Sequence, residues 1–142
     1  MKPSVHRVNS RLTEDVLIPV RRYLTKHARQ IKHSIAIGDG HICDRIAERT
    51  TDLNKSVENV KFIFMKMLED HLCELVYLAL STEKTVKAAG VYKTTDTIGI
   101  LFGFTIKKLY RSEETRLVWK FSTYIPDLKL RERSEYEMFY IN

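Results

Sequence analysis

The chain changes texture once, near Thr82, and that change restricts the folds open to it. Before Thr82 apolar residues recur at every third or fourth position; after it come β-branched and aromatic runs separated by turn residues. Period 3.6 builds helices that bury one stripe, and β-rich runs build strands. Helices first and strands second predict an α+β domain, with N-terminal helices packed on a small C-terminal antiparallel sheet. At 142 residues the chain is read as one domain, 1–142, long enough to bury a core without covalent staples.

The first helix is expected from Thr13 to Ile35, with Thr13 as its cap and Val16, Val20, Leu24, Ile31 and Ile35 as its buried stripe. Pro19 marks either a late start or a kink, because it brings no backbone donor. "GDG" at 38–40 ends that helix, and a short one follows over 41–49 with Ile42, Cys43, Ile46 and Ala47 inward. "TTDLNKS" reads as a connector. A third helix is expected from Ser56 to Leu80, burying Val57, Val60, Phe64, Met67, Leu68, Leu72, Leu75 and Leu78. Strands are expected over 85–93, 97–110 and 115–125, with turns at "TTD" and at Ser112–Glu114 and an end at Pro126. "EYEMFYIN" is either a fourth strand or a packed tail.

Lysine and arginine total 24 against 18 carboxylates, a net charge of +6, which favours an anionic partner such as nucleic acid. Cys43 and Cys73 lie among apolar neighbours and read as buried reduced thiols, which suits a cytoplasmic setting. No apolar run approaches the ~20 residues of a membrane span, and the first residues lack the apolar stretch of a secretion signal. Membrane partners are therefore not expected.

Spacings of four place His41, Arg45 and Arg49 on one side of the second helix. Either they form a solvated charged face, or they surround a phosphate. Guanidinium groups recognise phosphate oxygens with several donors, and imidazole exchanges a proton near neutral pH. Such a set suits RNA cleavage without a metal: a base takes the ribose 2′-hydroxyl proton, and cations stabilise the phosphorane. His71, in "LEDHLCEL", falls in the third helix's apolar stripe and reads as either a core histidine or a catalyst. Lys66, one turn earlier, is either a solvated lysine or a proton-transfer partner. Arg21, Arg22 and Arg29 make the first helix strongly basic. No zinc-type spacing, phosphate loop or nucleophile motif stands in the chain, so neither metal nor cofactor is expected. Tyr92, Phe102, Phe104, Tyr110, Trp119, Phe121 and Tyr124 lie on the strands with Lys107, Lys108, Arg111, Arg116 and Lys120. The outward members of that set offer a sheet for stacking bases and holding phosphates.

Three segments resemble the RegB-like endoribonucleases of bacteriophages, which are related to RelE-type toxins. "RRYLTKHARQI" at 21–31 is similar to the family's first basic helix. "HICDRIAER" at 41–49 resembles its histidine–Asp-Arg–arginine helix at unchanged spacing. "EDHLCEL" at 69–75, with "GILFGFTIKK", resembles its third helix and a central strand. The resemblance implies helices against a small sheet bearing RNA, and metal-independent cleavage of messenger RNA to a cyclic phosphate end. It also implies a ribosome or a ribosomal protein as a further partner, and turnover of early phage transcripts. His41 and Arg45 take the matching catalytic positions, and the second catalytic position falls on Lys66 or, one turn away, on His71. Arg49, Arg21, Arg22, Arg29, Lys107 and Lys108 are the expected substrate-binding residues. The family's first-helix acidic residue falls at Thr25, a departure. Two rival readings keep the fold without the cut: a non-catalytic RNA- or DNA-binding regulator, and a phage protein that binds a host protein.

Overall fold

A computed structural model describes residues 2–38, 41–111, 114–130 and 136–141, with the Arg111 side chain excluded. The expected break at Asp39–Gly40 and most of the expected turn at 112–114 lie outside the described residues. Helices α1 (Val5–Leu12) and α2 (Ile18–His27) are joined by a π-helical segment, Thr13–Leu17. Strand β1 (Lys32–Ala36) follows, then α3 (His41–Arg49) and α4 (Leu53–Leu80). Strands β2 (Val86–Lys93), β3 (Ile98–Arg111), β4 (Glu114–Lys129) and β5 (Glu137–Ile141) complete the chain.

The α+β expectation holds, and the sheet differs from the one expected. It has five strands in the order β1-β4-β3-β2-β5, and it is mixed. β2–β3 and β3–β4 are antiparallel, whereas β1–β4 and β2–β5 are parallel. One edge strand comes from the helical half of the sequence. Lys32–Ala36 was expected as helix because Ile31 and Ile35 are four apart. The backbone instead leaves the helix at Ala28 (φ −136°, ψ 44°), and His33 and Ile35 then alternate inward with Lys32, Ser34 and Ala36 outward.

The helical entry starts earlier than Thr13. Ser4 caps α1 by accepting from the Arg7 amide at 3.1 Å, and Val8, Leu12, Val16, Val20 and Leu24 form one buried stripe. Thr13 sits inside that run, where the Ile18 amide reaches back five residues to its carbonyl. This wide turn precedes Pro19, whose ring crowds a normal helical turn and which offers no amide. Helix α4 begins at Leu53 rather than Ser56, because the Asp52 side chain caps it at the Lys55 amide, 3.2 Å away. It kinks at His71 (φ −135°, ψ 17°).

α4 is the inner helix. Phe64 stacks on Phe104 at 4.6 Å and meets Phe102, Phe121 and Trp119 at 5.2, 5.6 and 6.5 Å. The register explains how one face collects these rings. Between Gly103 and Phe104 the β3–β4 pairing shifts by one, at Ser122, so Phe121 and Tyr124 both face the helices despite odd spacing. A second shift, between Gly99 and Leu101, falls opposite Pro126. Proline is tolerated at a bulge, so β4 runs on to Lys129 instead of ending there. The last segment is a strand, β5, at the sheet edge.

β1 is tied to its surroundings by His33. Nε2 donates to the Ala28 carbonyl at 2.8 Å, and Nδ1 accepts from Trp119 Nε1 at 3.0 Å. A proton on Nδ1 removes the acceptor that Trp119 needs, so the folded site favours neutral imidazole. Burial lowers the His33 pKa from 6.5, partly offset by the Ala28 carbonyl. A histidine lowered on folding binds its proton more readily when unfolded. Stability from this arrangement is therefore complete above about pH 6.5 and declines as pH falls from there toward the folded-state pKa. Urea midpoints should drop between pH 7.5 and 5.5 more in the wild type than in His33→Gln; equal drops would remove His33 from the account.

Candidate functional site

The helices cover one face of the sheet, and residues directly opposite across strands share a face. On the face away from α4, Lys107 opposes Val118, Thr105 opposes Lys120 and Lys87, and Leu109 opposes Arg116. β1 adds Lys32 beside Arg116 and Ser34 beside Val118. Five cations (Lys32, Lys87, Lys107, Arg116 and Lys120) thus stand on four adjacent strands, a patch about 14 Å wide at the ~4.8 Å strand spacing. Among the described residues the registers place one carboxylate with them, Glu114, whose Oε1 lies 3.6 Å from Lys32 Nζ. Farther along the same face Ala89, Val91, Leu101 and Leu128 are buried, with Leu130, Tyr136 and Met138 packed on them. Among the described residues the basic patch is the part left open.

The expected stacking aromatics are not on it. Phe102, Phe104, Trp119, Phe121 and Tyr124 are buried toward the helices, and Tyr92 and Tyr110 share that side by register. The patch accordingly offers charge and hydroxyls, with the Tyr136 ring at its border over Gly103. Lys107, Arg116 and Lys120 are on it, as expected. Lys108 is not: its ammonium, almost buried, donates to the Leu80 carbonyl at 3.0 Å and pairs with Glu83 at 3.0 Å. The Glu83 hydrogen bond is the main reason its pKa is raised. Lys108 thereby caps the end of α4.

α3 packs Ile42, Cys43, Ile46 and Ala47 into the core of the helical layer, against β4. Gly38 (φ 89°) passes so close to β4 that a Cβ there would lie 2.8 Å from the Phe121 carbonyl and 4.0 Å from Lys120 Cβ. Arg49 then donates to the Tyr124 carbonyl at 2.9 Å, where β4 extends past the end of β1. Arg49 therefore anchors the helix as well as carrying charge. His41 and Arg45 are exposed on the outer side, Arg45 loosely paired with Glu48 at 3.9 Å. Cys43 is buried against Asn9, and burial pushes its thiol pKa up.

The other expected residues stand elsewhere. Lys66 lies 4.0 and 3.9 Å from Glu69 and Asp70, carboxylates that also raise the pKa of Tyr23 after burial has done so. His71 bonds Glu74 at 2.9 Å and packs on Phe139 of β5 at 4.7 Å. β5 is three strand spacings from β4, about 14 Å away. Among the described residues no hydrogen bond or ion pair joins Lys66 or His71 to His41, Arg45 or Arg49. Arg21, Arg22, Arg29 and Thr25 are exposed on the helical layer, across the sheet from Lys107. Cys73, expected buried, is exposed: helical spacing puts it on the outer face of α4 with Asp70 and Tyr77. Among the described residues no three His, Cys, Asp or Glu side chains group as metal ligands, and no helix is long and apolar enough to cross a membrane.

Reading the sequence alone missed Lys32, Ser34, Lys87 and Glu114. The alternation in "KHSIA" was the available signal for the first two. Set against protein-family models, curated proteins and solved structures, the chain shows no significant match.

Phosphate contacts displace counterions, and on a single strand each lost contact flattens the salt dependence of binding by about 0.7 units of slope. The Lys107→Ala/Lys120→Ala double variant should reduce the slope of log Kobs against log salt for a single-stranded oligonucleotide by about 1.4. An unchanged slope would place the anion elsewhere.

Proposed function

We propose that this chain acts on messenger RNA as an endoribonuclease of the RegB-like kind, holding the strand across the open sheet face. The supporting observation is the patch of Lys32, Lys87, Lys107, Arg116 and Lys120, five cations on a rigid four-strand surface with hydroxyls between them. Such a surface contacts successive phosphates along a single strand.

Cutting is assigned to α3. His41 takes the 2′-hydroxyl proton, the oxygen attacks the neighbouring phosphorus, and Arg45 stabilises the charge that gathers on the phosphorane. The bond from phosphorus to the 5′-oxygen breaks, that oxygen takes a proton from water, and a 2′,3′-cyclic phosphate is left. Both side chains are exposed on a helix that Arg49 ties to β4, which supports this placement.

A second reading, RNA binding without a cut, is favoured by a separate observation. Lys66 and His71 are engaged with carboxylates of their own helix, away from α3. The same assay separates the two. Purified protein incubated with a messenger RNA pool, with and without EDTA, should yield EDTA-resistant cyclic-phosphate ends. His41→Ala should cut roughly 10²–10⁴-fold more slowly, the usual worth of a proton-transfer group, while binding RNA as well as the wild type. Binding with no cut in any condition would select the second reading.

A further inference from the structure

Glu114 is out of keeping with its surroundings. On a surface built to attract phosphates, a carboxylate repels them. It lies at one end of the patch, in a cleft of about 380 Å³ lined by Ser34, Leu109, Glu114, Arg116 and Val118. That is within the ~300–1,000 Å³ of small-ligand clefts. Arg116 opposes Lys32 across the β1–β4 pair, so two like charges stand side by side. Arg116 spends one donor on Ser34 Oγ at 2.7 Å, which aims the guanidinium; its other N–H groups have no partner among the described residues. Lys32 steadies Glu114 from the side at 3.6 Å. The cleft therefore presents an acceptor, a forked donor and two apolar walls, Leu109 and Val118.

We propose that this cleft holds one ribonucleotide of the bound strand, with Glu114 accepting from the ribose 2′-hydroxyl and Arg116 donating to the adjacent phosphate. The proposal rests on the RNA reading above and adds to it a site that distinguishes RNA from DNA. The 2′-hydroxyl is the donor that DNA lacks, and a carboxylate is its strongest side-chain acceptor. A phosphate between Lys32 and Arg116 relieves their mutual repulsion. The sugar covers Leu109 and Val118. Glu114 thus offsets its repulsion of phosphate only when a ribose is present.

The test is the initial fluorescence anisotropy of a labelled single-stranded RNA and of the DNA of the same sequence, titrated with the intact protein. Wild type should prefer RNA. Glu114→Ala should lose RNA affinity by roughly tenfold, the usual effect of one hydrogen bond to a charged group, and should hold DNA as tightly as before or more tightly. Glu114→Gln, which keeps the shape and one acceptor, should fall between. Arg116→Ala should weaken both ligands alike. Replacing ribose by deoxyribose one position at a time should reveal a single sensitive nucleotide in wild type and none in Glu114→Ala. An RNA-to-DNA ratio unchanged by Glu114→Ala, or equal wild-type affinity for both strands, overturns the cleft assignment and leaves the RNA reading standing. Failure of the wild type to bind RNA at all overturns both.

Discussion

Everything about the open face follows from how closely α4 lies on the other one. At Gly90 a Cβ would come within 2.6 Å of Ile63 Cγ2 and Met67 Sδ, so helix and strand approach as only glycine allows. Phe64 is then driven among Phe102, Phe104, Phe121 and Trp119, and truncating such a buried ring costs about 3–5 kcal/mol. A surface lysine costs far less to misplace. The aromatic face consequently fixes the register of β3 and β4, and the alternating side chains of those strands are committed to the opposite side.

That opposite side carries a stability cost with no folding return. Lys32 faces Arg116, and Lys107 and Lys120 stand nearby on adjacent strands, although like charges directly opposite are unfavourable. Surface ion pairs do not repair this, since the Lys32–Glu114 pair is exposed and long and exposed pairs contribute little. A polyanion repairs it directly. The same reasoning separates Lys107 from Lys108: adjacent in sequence, one is presented to solvent and the other is consumed in capping α4.

Much of this was legible in the sequence where a single period ran long. The Val57–Leu75 stripe and the Ile42–Ala47 helix occur where expected, and the three long strands start within a residue of where they were expected. The failures have local causes. Lys32–Ala36 is too short for its alternation to outweigh the Ile31–Ile35 spacing, so the parallel edge strand, and with it Ser34 of the cleft, was hidden. The aromatic run was expected to split between faces, but Phe102 and Phe104 share one parity, and the extra residue at Ser122 returns Tyr124 to the side of Phe121. His41 and His71 were both visible as histidines; nothing in their spacing reported that one begins a helix on β4 and the other packs on β5. Distance between elements is set by strand order, which the sequence does not spell out.

The most direct test of the account is where RNA touches the protein. Amide chemical shifts of isotopically labelled protein, followed while a short single-stranded RNA is added, distinguish the two sides of the sheet. The account predicts shifts at Ser34, Lys107, Arg116, Val118 and Lys120, extending to His41. Shifts confined to Arg21, Arg22, Arg29 and Lys66 on the helical layer would contradict it.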